Sequence, residues 1–168
     1  MKIVKYIGTA IIVVLVLIFV GIAGISFFSA PESSGLFGYK GYTVVSGSME
    51  PEIAVGDFII VEMEPYAEVE KEDVVTFQYN QELVTHRVVD KTAEGLVTKG
   101  DANNIQDQGV VAEENYVGVQ KILIPYFGHL VTFLQKPIAF SIVVALLGVY
   151  LIHLYINPIP KEEENGTI

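Results

Sequence analysis

The chain has 168 residues, with 20 Asp+Glu against 10 Lys+Arg and a formal net charge of −10. That acidity, with Arg87 the sole arginine, excludes a nucleic-acid-binding surface, which needs a basic footprint on phosphates. The lack of cysteine excludes a disulfide scaffold, a cysteine nucleophile and a thiolate metal site. With 51% hydrophobic residues and a mean hydropathy of +0.47, the chain is too apolar for an ordinary soluble domain of this length.

The first element is an uncharged run from Tyr6 to Pro31. It is long enough to cross a ~30 Å hydrocarbon core as a helix. A cleaved signal peptide is the alternative, given the basic start Met1-Lys2-Ile3-Val4-Lys5. The run exceeds the usual ~7–15-residue signal core, however. Its best small-residue site, at Ala30, is followed by Pro31, a poor residue just after a cleaved bond. An uncleaved anchor over residues 1–30 is therefore predicted. Lys2 and Lys5 then keep the amino terminus cytoplasmic and place the next segment outside.

That segment, residues 31–136, holds 17 of the 20 acids. It reads as strands: Tyr42–Val45, Phe58–Val61, Val74–Phe77, Leu83–Val89, Leu96–Thr98 and Tyr116–Ile122 are short and rich in β-branched or aromatic residues. Turn signals separate them at Val55-Gly56-Asp57, Tyr79-Asn80-Gln81-Glu82 and Lys91 to Gly95, the last two hairpin-like. No sustained helical periodicity occurs outside the chain ends. From Ile122 to Leu134 the sequence is apolar and aromatic. It is either a packed connector or a segment lying at a lipid interface. A second uncharged run, Pro137 to Pro160, is again long enough to span, returning residues 161–168 to the cytoplasm.

The sharpest chemical string is Ser46-Gly47-Ser48-Met49-Glu50-Pro51, directly after the first predicted strand. A serine at a strand end beside glycine can sit in a tight turn with its hydroxyl exposed; most Ser-Gly-Ser strings are merely turns. A serine hydroxyl needs a base to take its proton. His153 lies in the second apolar run and His129 follows an aromatic stretch, which leaves His86 as the base candidate of the strand region. On an alternating strand it shares a face with Val84 and Val88, as a packed core histidine also would. A third group should orient the imidazole. The loop Lys99-Gly100-Asp101-Ala102-Asn103-Asn104-Ile105-Gln106-Asp107 offers two aspartates, and the hairpin before it brings it toward the His86 strand. Such a cluster is otherwise an ordinary turn, and it lacks EF-hand spacing.

These strings occur in a particular order: Ser-Gly-Ser-Met-Glu-Pro, Gly56-Asp57-Phe58-Ile59-Ile60-Val61, Asp73-Val74-Val75, Thr85-His86-Arg87-Val88, then Thr98-Lys99-Gly100-Asp101-Ala102-Asn103-Asn104 with Asp107. Over about residues 42 to 128, including Ile124-Pro125-Tyr126-Phe127-Gly128, the chain resembles the type I signal peptidases. These are membrane-anchored serine proteases that remove signal peptides. Bacterial members carry a lysine base where this chain has His86, so the resemblance is to the archaeal and endoplasmic-reticulum branch. It implies Ser48 as nucleophile, His86 as general base, Asp107 as third member, Asp101 as a supporting carboxylate and Ser46 as an oxyanion donor. One departure is Ala102, where many relatives read Gly-Asp-Asn.

The fold implied is a mainly antiparallel β catalytic domain with one transmembrane helix at each end. An extended substrate would pair with a sheet edge. The resemblance implies small side chains at the first and third positions before the cut, and Val44, Val45 and the residues around Val84 are the candidate pocket walls. Expected partners are signal-peptide-bearing precursors and the lipid bilayer, with no cofactor and no metal. Two competing readings remain. One pairs Ser48 with Lys99; the other is a non-catalytic anchored β domain or accessory subunit of a membrane complex. The sole Asn-x-Ser/Thr sequon, Asn165-Gly166-Thr167, is expected to stay unmodified on the cytoplasmic side.

Overall fold

The computed structural model describes residues 2–29, 33 and 35–157. The expectations for Ala30-Pro31 and for the tail with its sequon fall outside these residues. The chain divides into two units, residues 1–21 with 133–168 and residues 22–132.

The first unit is helical. Helix α1 (Lys2–Phe28) and helix α3 (Pro137–Ile156) contain stretches long and apolar enough to cross a membrane, Tyr6–Gly24 and Pro137–Ile156. Pro137 opens α3, where a missing N–H costs no helical bond. Thr9 Oγ1 and Tyr150 OH share a hydrogen bond of 2.6 Å. It joins a residue near the start of α1 to one near the end of α3. Gly8 lies against the same tyrosine ring.

The second unit is built on one six-stranded antiparallel sheet of order β1-β2-β6-β3-β4-β5. Its strands are β1 (Tyr39–Thr43), β2 (Phe58–Glu62), β3 (Val74–Tyr79), β4 (Glu82–Lys91), β5 (Leu96–Lys99) and β6 (Tyr116–Ile124). All six sequence-predicted strands are present. The first begins three residues earlier than expected, because Tyr39 to Thr43 pair with Glu62 to Phe58. Pairing with a neighbour overrides local propensity there. Val44 still exchanges backbone bonds with Gly56 and Asp57, and the chain then leaves the sheet toward Ser46. The β3–β4 hairpin turns through Asn80 and Gln81, both at positive φ, as a two-residue hairpin turn requires.

Neighbouring residues of β3 point to opposite faces. Val75 and Phe77 join Val69, Val88, Leu96, Val111 and Val119 in one core. Val74 joins Met49, Ile53, Ile59 and Val61 in the other. Leu96 is fully buried, and its truncation to alanine would cost about 2–5 kcal/mol. The apolar stretch after β6 contains a helix that the sequence reading did not anticipate, α2 (Phe127–Gln135). Nine residues are too few for helical periodicity to stand out from a generally apolar run. Its buried positions, Gly128 and Val131, are one turn apart.

Candidate active site

The Ser46–Pro51 turn carries its serines out of the end of β1. Ser46 Oγ and Ser48 Oγ lie 3.3 Å apart in hydrogen-bond contact. Met49 is buried in the second core and pins the turn from below. Glu50 N–H donates to Gly47 O and Ile53 N–H to Met49 O, and the Glu50–Pro51 bond is cis.

His86 projects from β4 with 7% of its surface exposed. Its Nδ1 lies 2.6 Å from Asp107 Oδ2, which also accepts from Thr98 Oγ1 at 2.8 Å. Asp107 N–H donates to Thr98 O, fastening the loop to the end of β5. A carboxylate that already takes one hydroxyl proton accepts from an Nδ1–H. The neutral imidazole then carries its lone pair on Nε2. The Phe77 ring meets the imidazole edge-on at 6.3 Å and limits its rotation.

Nε2 faces Gly100. A methyl added at Gly100 would lie 3.0 Å from Nε2, 2.6 Å from Ser48 O and 2.7 Å from Asn103 Nδ2. This glycine is where the histidine strand, the aspartate loop and the serine turn meet. Ala102 N–H donates to Ser48 O at 2.9 Å, binding loop to turn directly. Among the described residues Ser48 Oγ bonds Ser46 rather than His86. Catalytic serine–histidine bonds are often formed only once substrate is bound.

The other aspartate has a different partner. Asp101 receives a two-pronged bond from Arg87, Nε to Oδ1 at 2.9 Å and Nη2 to Oδ2 at 2.7 Å. Arg87 also donates to Glu52 in the serine turn and to the Glu72 carbonyl. The Asp101 bond and charge raise the already high guanidinium pKa. This single cation thus clamps the serine turn, the aspartate loop and its own strand.

A cavity of about 490 Å³ is lined by Val44, Val45, Ser46, Ser48, Val84 and His86. A neighbouring cavity of about 280 Å³ shares Val84 and His86 and reaches Asp107 and Thr98. Ser46, Ser48, His86, Asp107, Val44, Val45 and Val84 lie around these two cavities, whereas Asp101 is held in the arginine clamp. Lys99 pairs with Arg87 in the β4–β5 ladder, and it is Gly100 that abuts Ser48. His129 lies on the far side of the turn, its imidazole against Gly56. Sequence reasoning missed Thr98, Gly100 and the clamp role of Arg87. Their signals were faint: a threonine and a glycine inside a loop motif, and the only arginine of the chain. Among the described residues no cluster of His, Asp and Glu could hold a metal ion.

No family model matches the chain. It is similar to signal peptidase I W of Bacillus subtilis (strain 168), with 38% identity over 130 residues covering 71% of this chain and 68% of that protein.

Proposed function

As a member of the signal peptidase I family the chain is a serine protease that removes signal peptides, and we propose that it does so with Ser48 as nucleophile, His86 as base and Asp107 as the group that orients it. The observation that carries this reading is the 2.6 Å contact between His86 Nδ1 and Asp107 Oδ2, on a histidine that lines one cavity with Ser48. Ser48 Oγ gives its proton to Nε2 as it attacks the scissile carbonyl. Asp107 stabilises the imidazolium, which then protonates the leaving amine. Water deacylates the enzyme through the same imidazole. The Ser46 hydroxyl, 3.3 Å from the nucleophile, would donate to the developing oxyanion. Val44, Val45 and Val84 would accept small side chains on the acyl side. The His86–Asp107 contact supports the Ser-His-Asp branch of the family.

The substrate is a precursor bearing a signal peptide. Residues 1–30 and 137–160 would anchor the enzyme as two spans, with residues 31–136 forming the extracytoplasmic catalytic domain and 161–168 a cytoplasmic tail. The Thr9–Tyr150 hydrogen bond supports this, because it puts the start of the first span beside the end of the second. Anchoring beside the emerging precursor raises effective concentration with no added contact. The test is cleavage of a signal-bearing precursor by the full chain in lipid vesicles. Ser48→Ala should abolish it while the protein stays folded and membrane-bound; retained turnover would remove Ser48 from the mechanism. His86→Lys should also be inactive, since the site holds an imidazole with a carboxylate rather than a desolvated amine.

A further inference from the structure

Beyond the triad, a second carboxylate holds the serine turn from the opposite side. Asp57 is 5% exposed and forms no ion pair among the described residues. Its Oδ2 accepts from Ala54 N–H, inside the turn that begins at Ser46, at 2.9 Å. Its Oδ1 accepts from Tyr126 N–H, at the entry to α2, also at 2.9 Å. Tyr126 adopts a positive φ of 60°, so this entry is a fixed and uncommon backbone shape. Burying a carboxylate is costly unless hydrogen bonds satisfy it, and together the two bonds link the turn at Ala54 to the α2 entry at Tyr126, about seventy residues away in sequence.

The same junction is reinforced by close packing. A methyl on Gly128 would lie 2.4 Å from Asp57 O and 2.7 Å from Gly56 O. His129 N–H donates to Gly56 O, and a methyl on Gly56, at φ +91°, would strike the His129 ring. Phe127 meets Phe58 edge-on at 5.5 Å. Asp57 O in turn accepts from Val44 N–H, at the rim of the proposed substrate cavity. The first turn of α2 is therefore seated on the Gly56–Asp57 backbone, and α2 leads after one residue, Lys136, into the apolar helix α3.

We propose that Asp57 is a positioning residue that ties the Ser48 turn to α2, so that the seating of the following span in a bilayer sets the reactivity of the nucleophile. This rests on the reading of Ser48 as nucleophile and of α3 as a membrane span. Asp57 touches neither substrate nor Ser48. It acts through the Ala54–Asp57 end of the turn.

The test uses the full chain and a fluorophosphonate, which labels an activated serine hydroxyl, in phosphatidylglycerol/phosphatidylethanolamine vesicles and in detergent micelles. Both the labelling rate and the final stoichiometry are measured. Wild type should label at Ser48 faster in vesicles than in micelles, by threefold or more. Asp57→Asn keeps the size of the side chain but turns an amide toward one of the two N–H donors. It should reach the wild-type end point about ten- to a hundredfold more slowly in vesicles, the scale set by nucleophile misplacement. Its vesicle-to-micelle ratio should fall to about one. A purely structural role would lower the end point and leave the ratio of the surviving fraction unchanged. Should Asp57→Asn lower the end point, Phe127→Ala loosens α2 while both Asp57 acceptors stay in place, and it should likewise reduce the ratio. Wild type with no vesicle advantage, or variants that keep it, would overturn the proposal. A wild-type enzyme not labelled at Ser48 would instead overturn the nucleophile assignment.

Discussion

Asp107→Asn should cost far more activity than Asp101→Asn, although the two side chains sit six residues apart on one loop. Asp107 Oδ2 accepts from His86 Nδ1 at 2.6 Å and from Thr98 Oγ1 at 2.8 Å. The imidazolium formed during acylation then lies roughly 4 Å, centre to centre, from a carboxylate, worth about 4 kcal/mol at an effective dielectric of ~20. The partners are 9% and 26% exposed, so solvent screening takes only part of this. An asparagine removes the charge, and its amide also favours the tautomer with the proton on Nε2, where it cannot accept from serine. Together these effects give a loss of about 10³–10⁴ in kcat. Asp101→Asn instead weakens a clamp. Arg87 keeps Glu52 and the Glu72 carbonyl, and the Ala102 N–H to Ser48 O bond is backbone to backbone. The expected cost is about 1–3 kcal/mol of stability and no more than about tenfold in kcat, a decade being ~1.4 kcal/mol. Steady-state cleavage of a signal-bearing precursor, with thermal unfolding of each variant, measures both. A larger kcat loss in Asp101→Asn, at equal folded fraction, would transfer the orienting role to Asp101.

Gly100→Ala should reduce kcat by about a hundredfold with the protein still folded, because the added methyl meets Ser48 O at 2.6 Å and crowds His86 Nε2; unchanged turnover would show that the three segments have slack at their meeting point. Tyr42→Phe should stabilise the domain by about 1–3 kcal/mol, since the Tyr42 hydroxyl is buried with no hydrogen-bond partner among the described residues; thermal unfolding near neutral pH measures it. Burial also pushes the Tyr42 phenol up to about 12 from an ordinary 10. Its folded value is raised, so its contribution is complete below pH 10 and lost as pH rises through about 12. The phenylalanine variant should lack that alkaline component of unfolding. Protease added outside right-side-out vesicles should cleave within residues 31–136 and spare a tag placed after Ile168; a clipped tag would indicate a re-entrant second segment and leave the Ser48 chemistry unaffected.

Two kinds of information were legible in the sequence by itself. Uncharged runs long enough to span a bilayer, and β-branched strands punctuated by Asn, Gly and Asp turns, are local patterns, so the two long helices and the six antiparallel strands could be read directly. The Ser, His and Asp candidates were also legible, because each sits in a short string of unusual composition. The identity of their partners was not. Asp101 and Asp107 look alike along the chain, and only the β4–β5 pairing, with Arg87 opposite Lys99, turns the first toward the guanidinium while the second returns to Thr98 and His86. Helix α2 and the Asp57 junction were hidden for a related reason. A nine-residue apolar helix has little periodicity of its own, and its entry is held by a hydrogen bond from Tyr126 N–H to a carboxylate about seventy residues away. Propensity and pattern act over a few residues, whereas a buried charge or a glycine in a crowded junction takes its role from segments that only the folded sheet brings together.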